Sequence, residues 1–141
     1  MGITWNPDVF LVGVELMDTQ HKELFDILND IYMHYSQLNQ DDKKSKETLE
    51  QYFTFFLNYT IKHFSEEEEL YKRVGYKELE NHKRLHSRFI KDIDDIVQDY
   101  KQGKPIKKVM LNLYSKGYKW LCEHITIADV HASKWIKSQQ H

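Results

Sequence analysis

Histidine and glutamate side chains recur at intervals of four along residues 59–86. His63 and Glu67 are four residues apart, and His82 and His86 repeat this interval. Residues four apart in an α-helix project from the same side, so each pair would offer two metal-binding groups in one direction. Imidazole-rich sites with carboxylates suit iron, zinc or copper. The spacing therefore predicts two helices that each present a pair of ligands.

The helices that must position these side chains can be recognised from the spacing of the apolar residues. Apolar side chains recur at intervals of three and four, as in helices with one buried face, over 21–38, 49–70, 79–100 and 106–124. The breaks between these segments are the polar stretch 39–44, the turn Val74-Gly75 and the sequence Gly103-Lys104-Pro105. Because short connections make consecutive helices antiparallel, the sequence predicts an all-α fold, an up-down-up-down four-helix bundle.

The two ends of the chain are predicted to differ from the bundle. Residues 1–17 have no helical period, so we expect an extended N-terminal arm. Its bulky apolar side chains would pack onto the bundle: Trp5, Phe10 and Leu11. Asp18 would cap the first helix, the bundle would span 18–124, and 125–141 would form a C-terminal segment with a short helix. The whole chain is then one domain.

Five histidines lie on stripes that otherwise hold leucine, isoleucine and phenylalanine: His21, His63, His82, His86 and His124. A single histidine in such a place is more often a hydrogen-bonded core residue than a ligand. Helix order in an up-down-up-down bundle, however, places all five at the same end. Burying them together without a metal would leave many polar groups unsatisfied. The other three histidines are predicted to be exposed: His34, His131 and His141.

Two carboxylate assignments remain open from spacing alone. Glu67 belongs to a run of four glutamates, so Glu66 is an alternative. Asp129 follows His124 by five residues, which on an ideal helix is a separation of about 140°, so the two could share a site only across a break. The β-branched sequence between them, Ile125-Thr126-Ile127, weakens a helix. Asp129 could equally belong to a helix cap that begins at Thr126.

Composition excludes several classes of protein. The chain has 141 residues, a net charge of −2 and a pI near 6.4, and no long basic run, so we expect neither nucleic acid nor a membrane as partner. No apolar run is long enough to span a bilayer, and the first residues lack the pattern of a signal peptide. The single cysteine, Cys122, is expected to be a small buried core residue. These features predict a soluble, cytoplasmic protein.

The motifs taken together resemble those of the hemerythrin family, in particular single-domain bacterial hemerythrins. The matching stretches are VGVELMDTQHKELF, HFSEEEEL, NHKRLH and WLCEHITIAD. The resemblance implies two Fe ions (Fe2+/Fe3+) joined by an oxo or hydroxo group. It implies these ligands: His82, His86 and His124 on one iron, His21 and His63 on the other, and Glu67 and Asp129 as bridges.

The resemblance also implies reversible O2 binding. Counting ligands leaves one open position, on the iron with two histidines, and hemerythrins bind O2 there. The implied apolar pocket comprises Phe64, Phe89, Trp120, Leu121 and Ile125. We therefore expect oxygen storage or delivery, with an oxygen-using enzyme as a recipient, rather than catalysis. The alternative function is an O2- or redox-sensing domain that acts through a signalling partner.

Overall fold

The computed structural model describes residues 15–38 and 43–139, and these residues are almost entirely helical. The helices are α1 (Glu15–Gln37), α2 (Lys43–Arg73), α3 (Leu79–Lys101), α4 (Ile106–Glu123), a π-helical segment (His124–Asp129) and α5 (Val130–Ser138). The prediction of an all-α four-helix bundle with a short C-terminal helix is confirmed. Among the described helices, none is both long and apolar enough to cross a membrane.

Contacts between side chains show that α1 and α2 run antiparallel. The Tyr71 hydroxyl near the end of α2 lies 3.8 Å from the Met17 sulfur near the start of α1. Tyr52, in the first half of α2, donates to the Asp30 carbonyl in the second half of α1. The helices pack in a ring, with α1 against α2 and α4, and with α3 between α2 and α4. The predicted apolar stripes therefore face one shared core.

Three glycines of the described chain lie where a larger residue would be strained or crowded. Gly75 and Gly103 have φ angles of 70° and 89°, in the region where a side chain is strained, and they form the two predicted turns. Gly117 lies inside α4, where an added Cβ would come within 2.7 Å of the Leu28 side chain of α1. The missing side chain thus allows α1 and α4 to approach closely.

The prediction for the start of the first helix was wrong. Helix α1 is already present at Glu15, so Asp18 lies inside it and does not cap it. Met17 is 1% exposed and contributes to the core from the first turn of the described helix. A single turn is too short to show an apolar period in the sequence. The side chains predicted to anchor the arm lie outside the described residues: Trp5, Phe10 and Leu11. His141 lies outside them as well.

Candidate metal centre

The structure brings all seven predicted ligand side chains together at one end of the bundle, and each is at most 6% exposed: His21, His63, Glu67, His82, His86, His124 and Asp129. They come from α1, α2, α3 and the π-helical segment that directly follows α4. The two described histidines that were predicted to lie elsewhere are exposed: His34 and His131.

One oxygen of each carboxylate faces a group of three histidines. Glu67 Oε1 lies 2.8 Å from His82 Nε2 and 3.1 Å from His86 Nε2. Asp129 Oδ1 lies 3.0 Å from His82 Nε2 and 3.2 Å from His124 Nε2. The Nε2 atom of His124 is in turn 3.0 Å from that of His82 and 3.2 Å from that of His86. We call this group the three-histidine subsite.

The other oxygen of each carboxylate faces the remaining two histidines. Glu67 Oε2 lies 3.2 Å from His63 Nε2 and 3.5 Å from His21 Nε2. Asp129 Oδ2 lies 3.0 Å from His21 Nε2. This is the two-histidine subsite. Each carboxylate therefore spans both subsites with one oxygen in each, which is the arrangement of a bridging ligand.

The unsatisfied atoms of the site fit metal cations. Among the described residues, both ring nitrogens of His21, Oε2 of Glu67 and Oδ2 of Asp129 are buried without a hydrogen bond, because their contacts of 3.0 to 3.5 Å lack the angles that a hydrogen bond requires. Leaving such groups unpaired in a dry interior is costly. Two ligand atoms at right angles, each about 2.1 Å from one metal, are about 3 Å apart, and the contacts above have that length. The nitrogen and oxygen donors, without sulfur, suit iron, zinc or copper.

The π-helical segment explains how Asp129 reaches the site. In a π-helix the backbone hydrogen bonds join residues five apart, so His124 and Asp129 lie on the same side. The predicted alternative, a cap beginning at Thr126, was wrong: the Thr126 hydroxyl donates to the Cys122 carbonyl at 2.7 Å, and the Asp129 side chain makes no cap bond. The neighbouring Cys122, which was predicted to be a buried core residue, is only partly buried. The helix widens at the β-branched residues instead of breaking there.

Two of the ligand histidines are held by side chains that the sequence did not indicate. His63 lies with Nδ1 2.6 Å from the Gln20 amide oxygen, and the Gln20 amide nitrogen donates to Glu66. His86 lies with Nδ1 2.7 Å from a Glu68 carboxylate oxygen. Hydrogen bonds at Nδ1 leave Nε2 free for a metal. Glu66 therefore supports the site from outside, while Glu67 enters it.

A buried tyrosine also contacts the site and was missed in the sequence. The Tyr71 hydroxyl donates to Asp129 Oδ1 at 3.2 Å, and its ring lies edge-on to His82, with 4.8 Å between the ring centres. Burial, followed by the charges of Glu67 and Asp129, raises the pKa of the Tyr71 phenol far above its usual range. The phenol therefore stays protonated. In the sequence, the only sign that Tyr71 reaches the site is its position one helical turn after Glu67.

Aromatic rings cover the three-histidine subsite. Phe64 stacks on the His86 ring at 3.8 Å between centres. Trp120 stacks on His124 at 4.2 Å and on Phe89 at 4.1 Å. The aliphatic members of the predicted pocket are also buried: Leu121 and Ile125. The site is thus enclosed by apolar side chains, although the described ring contacts lie mainly on its three-histidine side.

Two of the site histidines, His21 and His82, bind protons more tightly in the metal-free protein than in the unfolded chain. Burial lowers the pKa of His21, but contacts with Asp129 and Glu67 outweigh burial and raise it from 6.5 to about 9. The same opposing effects raise the pKa of His82 from 6.5 to about 9. Their contribution to stability is therefore complete below pH 6.5 and is lost as the pH rises to about 9.

We therefore expect the chelator-treated protein to unfold at lower urea concentration at pH 9 than at pH 6.5. The loss is at most about 1.4 kcal/mol per pH unit for each of the two protons. The metal-loaded protein should not show this loss, because bound imidazoles are neutral. Urea midpoints of both forms at the two pH values test this. Equal midpoints for the chelator-treated protein would contradict it.

The fold and the site together define a four-helix bundle protein with a buried cluster of histidines and carboxylates that is suited to binding metal. Comparison with known proteins gives the family. The model of the hemerythrin HHE cation-binding domain matches residues 12–131, and the chain belongs to this family.

Relatives of known name cover most of the chain. The bacteriohemerythrin of Clostridium acetobutylicum is 32% identical over 125 residues, which are 86% of this chain and 92% of the relative. That of Stenotrophomonas maltophilia is 28% identical over 136 residues, 96% of this chain and 82% of the relative. The crystal structure of a wild-type hemerythrin superposes with a TM-score of 0.80 at 21% identity, covering 95% of this chain and 97% of that one. This likeness supports the bundle fold.

Proposed function

We propose that this protein binds O2 reversibly at a pair of irons. The observation that carries the proposal is the unequal size of the two subsites. With both carboxylates bridging, the residues supply three nitrogens and two oxygens to one position, and two nitrogens and two oxygens to the other. A shared solvent oxygen would complete six ligands on the first and leave one place open on the second. When bound, the iron pair supplies that open place and the electrons for O2 uptake.

The residues around the centre would orient the ligands and exclude water. The amide of Gln20 fixes the tautomer of His63, so that Nε2 faces the two-histidine subsite. Phe64 and Trp120 cover the ligand rings against solvent. A dry, apolar surround favours reversible binding, because water and protons promote loss of reduced oxygen species.

Metal analysis and optical spectroscopy test the proposal directly. The protein should contain two irons per chain when it is expressed with ample iron. Anaerobic reduction should bleach its visible absorption, admission of air should restore a band, and removal of O2 should bleach it again. One metal per chain, zinc in place of iron, or a spectrum that never reverses would contradict reversible O2 binding.

The buried aliphatic residues next to His124 give a test of the proposed dry pocket. Ile125 is fully buried, and replacing it by threonine exchanges an ethyl group for a hydroxyl, which makes this buried position polar and leaves space for water. We expect Ile125→Thr to keep its iron and to autoxidise about tenfold faster after oxygenation. Ile127→Thr is the matched control, because Ile127 is 71% exposed two residues further on. Equal autoxidation rates in the two variants would show that Ile125 does not protect the centre.

An O2 storage or delivery protein, with an oxygen-using enzyme as recipient, differs from an O2 sensor in what its structure must do when O2 binds. A sensor needs a segment whose packing depends on the ligand. Helix α5 is a candidate, because it follows the π-helical segment directly and buries Ala132 and Ile136 in the core. For a storage or delivery protein, we expect equal hydrogen-exchange protection of α5 in the oxygenated and oxidised forms. A large difference between the two forms would favour sensing.

A further inference from the structure

Tyr71 is the one described residue outside the ligand set that donates a hydrogen bond to a bridging carboxylate. Its side chain is fully buried, and its hydroxyl lies 3.2 Å from Asp129 Oδ1 and 3.8 Å from the Met17 sulfur. A thioether is a weak acceptor, so the carboxylate oxygen is the principal partner. A buried hydroxyl needs such a partner, and a purely apolar ring would fill the same space without that requirement.

The hydrogen bond reaches only one of the two carboxylate oxygens. Oδ1 faces the three-histidine subsite and receives the phenol, whereas Oδ2 faces the two-histidine subsite and has no hydrogen-bond partner among the described residues. A donor that shares the Oδ1 lone pairs withdraws electron density from that oxygen. Oδ1 then becomes a weaker ligand, and weakening an anionic ligand destabilises a ferric ion more than a ferrous one, because the ion of higher charge gains more from the anion.

We propose that Tyr71 is a positioning residue that favours the reduced form of the centre by donating a hydrogen bond to Asp129 Oδ1. The proposal rests on the proposed iron pair but not on its binding of O2. The role proposed for Tyr71 is separate from O2 binding, because its hydrogen bond is to the oxygen that faces the three-histidine subsite. The phenol acts on the metal through the bridging carboxylate. Because Tyr71 lies on α2 and Asp129 on the π-helical segment, the hydrogen bond also fixes the position of the carboxylate relative to α2.

Replacement of Tyr71 by phenylalanine removes the hydrogen bond and keeps the ring. In a spectroelectrochemical titration, Tyr71→Phe should show a reduced-to-oxidised ratio about tenfold lower than the wild type at a fixed potential, which is about 59 mV for a one-electron couple. Tyr76→Phe is the matched control. Tyr76 packs against Tyr71 with 5.2 Å between ring centres, and no hydrogen bond from it to Asp129 is present in the described part of the chain. Its ratio should equal that of the wild type.

A second variant keeps the experiment decisive if Tyr71→Phe loses metal. Site-specific incorporation of 3-fluorotyrosine at position 71 preserves the ring and strengthens the phenol as a donor. This protein should therefore shift in the opposite direction, towards the reduced form. Any of three results would overturn the proposal. They are an unchanged reduced-to-oxidised ratio in Tyr71→Phe at full iron content, an equal change of this ratio in Tyr76→Phe, and no increase of the ratio with fluorotyrosine. If these shifts occur in a protein that fails to bind O2, the proposed function falls and this inference stands.

Discussion

Replacement of Glu67 by alanine should release metal from both subsites at once. Its two oxygens are divided between them, with Oε1 2.8 Å from His82 and Oε2 3.2 Å from His63. The loss of a direct ligand should weaken metal affinity more than the 10- to 100-fold that is typical of supporting residues. Because metal binds only the folded chain, the loss also destabilises the fold. At metal concentrations 1,000 times the dissociation constant, the difference is about 4 kcal/mol.

The control for this experiment lies two residues away. Glu69→Ala removes the same carboxylate from an exposed position of α2, so it should retain full metal content and stability. Iron per chain by elemental analysis and unfolding midpoints with and without chelator measure both effects. Retention of two irons by Glu67→Ala would show that another carboxylate of the run can take its place.

Exchange of residues 128 and 129 should disable the centre without changing the composition of the chain. In Ala128→Asp/Asp129→Ala the carboxylate follows His124 by four residues, the spacing that an ordinary α-helix would place on one side. The π-helical segment instead directs position 129 into the site, and residue 128 is only partly buried. We expect the exchanged protein to lose metal affinity as severely as Asp129→Ala, by more than about 100-fold.

The same exchange reports on the backbone. Helical content by circular dichroism should remain near the wild-type level, since only two side chains differ. Full metal binding by the exchanged protein would mean that the segment converts to an α-helix and that the π-helical geometry is not required. Asp129→Ala alone provides the reference for complete loss of this ligand.

The histidines could be predicted from the sequence because two periodic patterns coincide. The apolar stripes fix the helices, and helix order fixes which ends meet, so His21 and His124 are brought together despite their separation in the chain. The choice of Glu67 over Glu66 could not be made in this way. The side chains of adjacent residues on a helix point about 100° apart. A buried stripe of that width can include either Glu66 or Glu67.

Other features depend on geometry that a pattern does not encode. A π-helix of six residues leaves no period in the sequence, so Asp129 could be assigned only through resemblance. Gln20, Glu68 and Tyr71 act through single hydrogen bonds whose partners lie on other helices. Polar residues of this kind are common on helices. Only the packed structure distinguishes the few that reach a ligand.

The distribution of the ligands over the whole bundle has a kinetic consequence. The centre draws on positions from 21 to 129, so its contacts are non-local and its closure must come late in folding, after distant helices have met. The same topology governs the reverse reaction, because metal escape requires the helices to separate at the ligand end. We therefore expect the lifetime of the metal-loaded protein to depend on the unfolding barrier rather than on the strength of any single coordinate bond.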